Sequence, residues 1–292
     1  MNHLALPADH PPQSAVQHDS LSVTFWGVRG SVPTPIAANQ RYGGNTVCVE
    51  VSVGGRRIIF DGGTGLVELG HHLQQQQTRH DAHIFFTHTQ WDRIQGFPFF
   101  QPAFMPGNRF SIYGGTALNG ASIKHCLTDQ MLLPHFSMPL QHMLADLSFH
   151  TLTGKSSFEI DDLLVETIQI NPITEALGYR LSWQDYTLVY ATDTPTEHVD
   201  PAFLEFVAQA DILIYDGTYC DLTYLRSSSE STMALQPWQL GIDIVQKANV
   251  KQLVMLHHSP LQNDDALDQL QCEVSDRFAN VQIAYEGMVV TL

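Results

Sequence analysis

A hairpin early in the chain, followed by alternating strand and helix patterns, constrains the fold more than any other feature. Short β-rich segments come first, at residues 21–26, 46–53 and 56–60. The last two are joined by Gly54-Gly55, a pair that supplies the positive φ a tight hairpin turn needs. The pattern then predicts a helix at 66–75 and a buried strand at 83–86. Further strands are expected at 110–113, 163–170, 178–183, 187–191, 212–215 and 252–256, with helices near 117–130, 201–209, 238–248 and 264–277. Hairpins mixed with β-to-α crossovers suit two sheets with helices outside them better than one doubly wound sheet. The expected class is therefore α/β, as an αββα four-layer sandwich.

At 292 residues the chain is long enough to bury a large core, and no low-complexity run or internal repeat divides it. Residues 1–20 read as a flexible N-terminal tail without a secretory pattern, and residues 21–292 as a single domain with a lid-like insert at about 121–149. Within that insert Met131, Leu132, Leu133, Phe136, Met138 and Leu140 are available to close over a cleft or to pack. No apolar run reaches the roughly 20 residues that cross a bilayer, which excludes a helical membrane span. Cys48, Cys126, Cys220 and Cys272 are widely spaced and form no Cys-x-x-Cys pair. This fits reduced thiols and a cytoplasmic location. A formal charge of −16, from 14 basic against 30 acidic residues, opposes the phosphate contacts on which nucleic-acid binding rests.

The stretch with the most chemistry is 87–96, Thr-His-Thr-Gln-Trp-Asp-Arg-Ile-Gln-Gly. It follows the strand at 83–86, so His88 is delivered at the carboxyl end of a buried strand, where open α/β sheets place ligands. His88 and Asp92 are good metal donors. Gln90 offers only an amide oxygen, and Arg93 stays protonated and offers no lone pair.

Seven phrases in order carry a resemblance that spans nearly the whole chain. They are Phe25-Trp26-Gly27-Val28-Arg29-Gly30-Ser31-Val32-Pro33, Arg41-Tyr42-Gly43-Gly44-Asn45-Thr46, Ile59-Phe60-Asp61-Gly62-Gly63-Thr64-Gly65, the loop just quoted, Tyr190-Ala191-Thr192-Asp193-Thr194, Ile214-Tyr215-Asp216 and Val254-Met255-Leu256-His257-His258. Together they resemble the metallo-β-lactamase superfamily, in its bacterial phosphodiesterase branch related to ribonuclease Z. The resemblance implies an αββα fold and an ancestor that cleaved phosphodiesters with two metal ions.

Carried over residue by residue, the resemblance also implies what has changed. In the family the loop reads His-x-His-x-Asp-His, and here those positions are His88, Gln90, Asp92 and Arg93. A later His before Pro falls on Asn171, and a substrate-handling His before a late helix falls on Leu235. The bridging carboxylate falls on Asp193 and the last ligand on His257, while Asp61 and Asp216 are pocket-supporting carboxylates. The implied catalytic groups are Asp92 and Asp193. The implied ligands of any metal are His88, Asp92, Asp193 and His257, with His125, His135, His142 or His150 as substitutes from elsewhere. That set supports no metal, or one divalent ion of zinc, manganese or iron, rather than a full dinuclear site.

Arg93 decides between two expectations. Turned inward, it pairs with Asp92 or Asp193 and replaces metal charge without metal chemistry, which leaves a degenerate protein with a binding or regulatory role. Turned outward, it leaves room for a mononuclear or atypical hydrolase of phosphodiesters such as cyclic nucleotides. The expected partner is a small molecule or a protein, with no membrane and no nucleic acid; a homo-oligomer is left open.

Overall fold

The Gly54-Gly55 pair forms the expected turn, with φ of 55° and 77°, between β2 (Cys48–Val53) and β3 (Arg56–Phe60). The computed structural model describes residues 20–194, 200–216 and 237–292. The first twenty residues apart from Ser20, and the positions of His198, Cys220 and Leu235, lie outside the described residues.

β1 (Leu21–Gly27) alternates buried and half-buried side chains along its length, as a strand with one face on a core should. After β3 come β4 (Asp81–Phe86), β5 (Arg109–Gly114) and β6 (Asp146–Thr151). A second series follows: β7 (Ser157–Ile160), β8 (Leu163–Asn171), β9 (Ala176–Trp183), β10 (Tyr186–Ala191), β11 (Ile212–Asp216), β12 (Gln252–Leu256) and β13 (Val281–Ile283). The last strand, β14 (Val289–Thr291), returns to β1. The two sheets run β14-β1-β2-β3-β4-β5-β6 and β13-β12-β11-β10-β9-β8-β7. In each, an antiparallel half joins a parallel half: β3 to β6 are parallel in the first sheet, and β10 to β13 in the second.

Helices cover the outer faces. α1 (Gly65–Gln75), the single turn α2 (Trp91–Ile94) and α3 (Ile123–Asp129) flank the first sheet. α4 (Pro201–Val207), α5 (Pro237–Ala248) and α6 (Asp264–Ser275) flank the second. One apolar cluster, with Phe60, Tyr179 and Tyr190, fills the space between the sheets, and two more join each sheet to its own helices. This is the αββα sandwich that the mixture of hairpins and crossovers predicts. Among the described residues no helix is long and apolar enough to cross a membrane.

Several boundaries differ from expectation for visible reasons. The helix expected over 117–130 begins only at Ile123, because Gly120 turns with φ of 82° and Ser122 caps the helix by accepting from His125 N at 3.3 Å. Strands β6, β7, β13 and β14 escape sequence reading because they are short or exposed elements at the sheet edges. The segment 121–149, expected as a lid, is partly core and partly rim. Met131 and Leu140 are buried, Leu132, Leu133 and Met138 are exposed, and its end forms edge strand β6.

The loop after β4 is seated by main-chain contact with the loop after β3. Gly62 N donates to Arg93 O at 2.6 Å and Gly96 N to Gly62 O at 2.8 Å. At Gly96 a Cβ would stand 1.9 Å from Gly63 O, a collision with backbone that no rotamer relieves. Gly96→Ala is therefore expected to cost about 1–3 kcal/mol in urea denaturation. A variant as stable as wild type would show that the two loops are not packed in this way.

Candidate functional site

Five of the parallel strands carry a polar site residue at or just past their carboxyl ends. Asp61 follows β3, His88 follows β4, Asp193 follows β10, Asp216 ends β11 and His257 follows β12. Asp61, Asp193 and His257 all have left-handed backbones, with φ of 60°, 69° and 64°. Non-glycine residues hold that conformation at a cost of roughly 1–3 kcal/mol each and cluster where structure serves function. The sheets are also tied together here: Tyr179 Oη donates to Phe86 O at 2.6 Å, and Leu177 N to Thr87 O at 2.9 Å.

Arg93 turns inward and is 0% exposed. Its Nη1 donates to Asp61 Oδ2 at 3.0 Å, and its Nε lies 3.4 Å from Asp92 Oδ2. Burial works to lower its pKa, but the charges of Asp61 and Asp92 outweigh this and hold the guanidinium protonated well above its usual range. Asp193, the other partner expected for Arg93, is used elsewhere. Asn171 Nδ2 donates to its main-chain oxygen at 3.0 Å and to its Oδ2 at 3.3 Å, and the Thr174 hydroxyl also donates to Oδ2.

Asp61 does two things at once. Its Oδ1 accepts from Thr87 N at 2.8 Å and so orders the start of the loop, while its Oδ2 accepts from Tyr190 Oη at 2.8 Å and from Arg93. Sequence reading assigned no role to Tyr190 or Thr87. A tyrosine on a buried strand leading to Asp193 was the available signal, since a buried phenol needs a partner. Arg29, quoted only within a phrase, is likewise buried, and its guanidinium donates to Gly43 O at 2.7 Å and Gln262 O at 2.6 Å. That places it in loop anchoring rather than in the pocket.

On the other side of Arg93, His257 lies between two carboxylates. Its Nε2 is 3.1 Å from Asp92 Oδ2 and its Nδ1 is 3.4 Å from Asp216 Oδ1. Gly30 leaves this ring its space, because a Cβ there would stand 2.6 Å from His257 Nε2. Burial and Arg93 both act to lower the His257 pKa, but the Asp92 hydrogen bond and the two carboxylates raise it on balance. Asp92 is itself held below the usual carboxylate range: burial opposes this, while the His257 hydrogen bond and the Arg93 charge prevail. Burial pushes Asp216 up to about 6, with Asp193 adding to the effect and His257 and Arg93 opposing it.

His88 joins this network at its edge, through the Thr87 hydroxyl that donates to Asp61 Oδ1 at 2.9 Å. The His88 Nε2 lies 2.9 Å from Gln90 Oε1 and its Nδ1 3.0 Å from the Thr87 hydroxyl, so both ring nitrogens face protein polar groups. The surface histidines do not substitute for it: His125 is paired with Asp129 at 3.0 Å, and His135, His142 and His150 are exposed. Among the described residues no three His, Cys, Asp or Glu side chains converge to hold a metal ion. With Arg93 between Asp61 and Asp92, the donor set does not fit a dinuclear centre, because a guanidinium repels the ion its neighbours would bind.

Comparison with known proteins gives the site its context. The model of a family described as a β-lactamase superfamily domain matches residues 56–258. A ribonuclease Z of Prochlorococcus marinus (strain NATL1A) is 27% identical over 201 residues, covering 60% of this chain and 61% of that protein. The chain thus matches about 61% of the length of the curated relatives it resembles. Among solved structures, the metallo-β-lactamase fold protein YhfI from Bacillus subtilis superposes with a TM-score of 0.66 at 18% identity, over 94% of this chain and 100% of that one. A diphosphatase from the PhnP family superposes with a TM-score of 0.66 at 17% identity, over 92% and 97% of the two chains. At these identities the superpositions establish the fold.

The raised pKa of Asp216 has a defined consequence for stability. The folded carboxyl takes up a proton below about 6 and the unfolded one only near 3.8, so folding binds protons between these values and stability falls as pH rises through them. Asp216→Asn removes this slope. Urea denaturation between pH 4 and 6 is expected to show wild type losing up to roughly 3 kcal/mol relative to the variant. Parallel pH profiles would mean that Asp216 is not desolvated as described.

Proposed function

The chain belongs to the metallo-β-lactamase superfamily, and from that premise we propose that it has exchanged metal-activated hydrolysis for a binding or regulatory role. The observation that supports this reading is the Arg93 guanidinium, buried at 3.0 Å from Asp61 and 3.4 Å from Asp92. A guanidinium supplies the positive charge that buried carboxylates require. It cannot lower the pKa of a bound water toward 7 or act as a Lewis acid, so it leaves no route to a hydroxide nucleophile. The relatives suggest phosphodiester chemistry as the ancestral activity. The four changed positions, Gln90, Arg93, Asn171 and Leu235, are those through which it would have run.

A second reading, a hydrolase with one atypical metal ion, draws on the 3.1 Å approach of His257 Nε2 to Asp92 Oδ2. There Asp92, Asp193 and His257 would hold the ion. Against it, the Asp193 carboxylate is engaged by Asn171 and Thr174, and Arg93 stands beside Asp92.

Elemental analysis of protein purified without chelator or affinity metal, grown with zinc, manganese and iron, separates the two. The binding reading expects less than about a tenth of an ion per chain and no turnover of bis-aryl phosphates. One ion per chain, with turnover that disappears in Asp193→Ala, would establish the hydrolase instead. Restoring His together at 90, 93 and 171 is expected to increase metal uptake.

A further inference from the structure

Two stretches of the chain, 94–108 and 130–145, contain no Asp, Glu, Lys or Arg, in a protein whose formal charge is −16. Between Ile94 and Ala145 the charged residues are Arg109, Lys124 and Asp129, a formal +1 that leaves −17 to the rest of the sequence. All three are engaged by residues outside the two stretches. Arg109 faces Asp81 at 3.5 Å, Lys124 sits over the Phe149 ring at 5.5 Å, and Asp129 pairs with His125 at 3.0 Å.

Contacts join the stretches into one layer over the outer face of the first sheet. Gln130 Nε2 donates to Ile94 O at 3.1 Å, Ala145 N donates to Ala103 O at 3.0 Å, and the Phe99 and Phe136 rings meet edge to face at 5.4 Å. Phe97, Phe100, Met131, Leu140 and Met143 anchor the layer in the apolar cluster between that sheet and its helices. Outward it shows Phe99, Met105, Leu132, Leu133, Met138 and Leu144, from 41% exposed at Met138 to 78% at Leu133. A large apolar side chain buries roughly 150–250 Å² when fully covered, so the exposed parts of these six come to on the order of 600 Å². That stands at the top of the roughly 300–600 Å² patch a typical monomer carries. With the half-buried Phe104 and Phe136 beside them, the area approaches the ~800 Å² per partner of a standard interface.

Charge selects the occupant. Two copies at −16 repel across their acidic surface, and approach costs least where both faces are free of charge. A two-fold contact sets one patch against itself, which a neutral apolar face satisfies and a face of one sign does not. A cationic partner drawn by the acidic surface finds no complement in this layer. We infer that the layer is a self-association surface, through which two copies of the chain pair about a two-fold axis. It continues into α2 through the bond from Gln130 to Ile94, and α2 carries Asp92 and Arg93. Pairing therefore bears on the loop that holds the changed site, while the inference itself holds with or without a metal there.

Sedimentation velocity of the full chain over a concentration series tests this. A monomer–dimer equilibrium is expected, in the micromolar range or tighter. Raising the salt from about 0.05 M to about 0.5 M is expected to tighten it, since salt screens the repulsion between acidic copies and leaves apolar contact in place. Leu133→Glu and Met138→Glu each place two like charges across a two-fold contact, and each is expected to weaken pairing at least about a hundredfold. Both positions are exposed, so at dilutions where wild type is monomeric the urea midpoints of both variants match it. Val289 is the control: it is 59% exposed on β14, at the opposite edge of the first sheet from β6, and Val289→Glu is expected to pair as wild type does. A monomer at every concentration, pairing that weakens with salt, or pairing untouched by both layer variants would overturn the inference. So would a monomer that cosediments with phosphatidylcholine vesicles, which would assign the layer to lipid. None of these outcomes turns on metal content, so each leaves the metal-free reading of the site to its own test.

Discussion

The buried ion pair between Arg93 and Asp61 is the interaction on which the rest of the site depends. Asp61 is fully buried and holds a left-handed backbone at the end of β3, from which it orders the β4 loop through Thr87 and reaches the second sheet through Tyr190. A carboxylate so placed needs a positive partner, because an isolated buried charge is costly by far more than any single packing contact returns. Arg93 is that partner, and its own position follows from the loop that Asp61 orders. Each residue therefore maintains the surroundings the other requires.

The same charge organises the groups beyond it. Arg93 lies beside Asp92, which in turn holds His257, and His257 faces Asp216, whose other oxygen accepts from the main chain of Asp193 and Thr194. Carboxylates and imidazole thus alternate outward from one guanidinium across both sheets. Every carboxylate in this series has a cation or donors next to it.

Much of this was legible in the sequence, and what was not follows from the physics of contact. The αββα architecture could be read because the Gly54-Gly55 hairpin and the later strand–helix alternation are local patterns. The edge strands β6, β7, β13 and β14 could not, since an exposed or three-residue strand carries no periodic signal. Within the site, that Gln90 and Arg93 are poor metal donors is visible residue by residue. The direction of Arg93 is not, because both outcomes satisfy the same sequence. Its pairing with Asp61 joins residues 32 apart, and Asp61 meets Tyr190 across 129 residues. The first exists only once the loops after β3 and β4 have docked, and the second only once the two sheets have packed. Leu235 remains an assignment by resemblance, as it lies outside the described residues.

The most direct measurement is a double-mutant cycle between Arg93→Met and Asp61→Asn, read by urea denaturation at neutral pH. If Arg93 is the cation that Asp61 requires, Arg93→Met alone should cost about 3–5 kcal/mol, and the double variant should recover part of that loss. The coupling energy is then about 2 kcal/mol. Additive effects, with no coupling and a mild Arg93→Met, would contradict the claim that a guanidinium has taken over the charge a metal ion supplied.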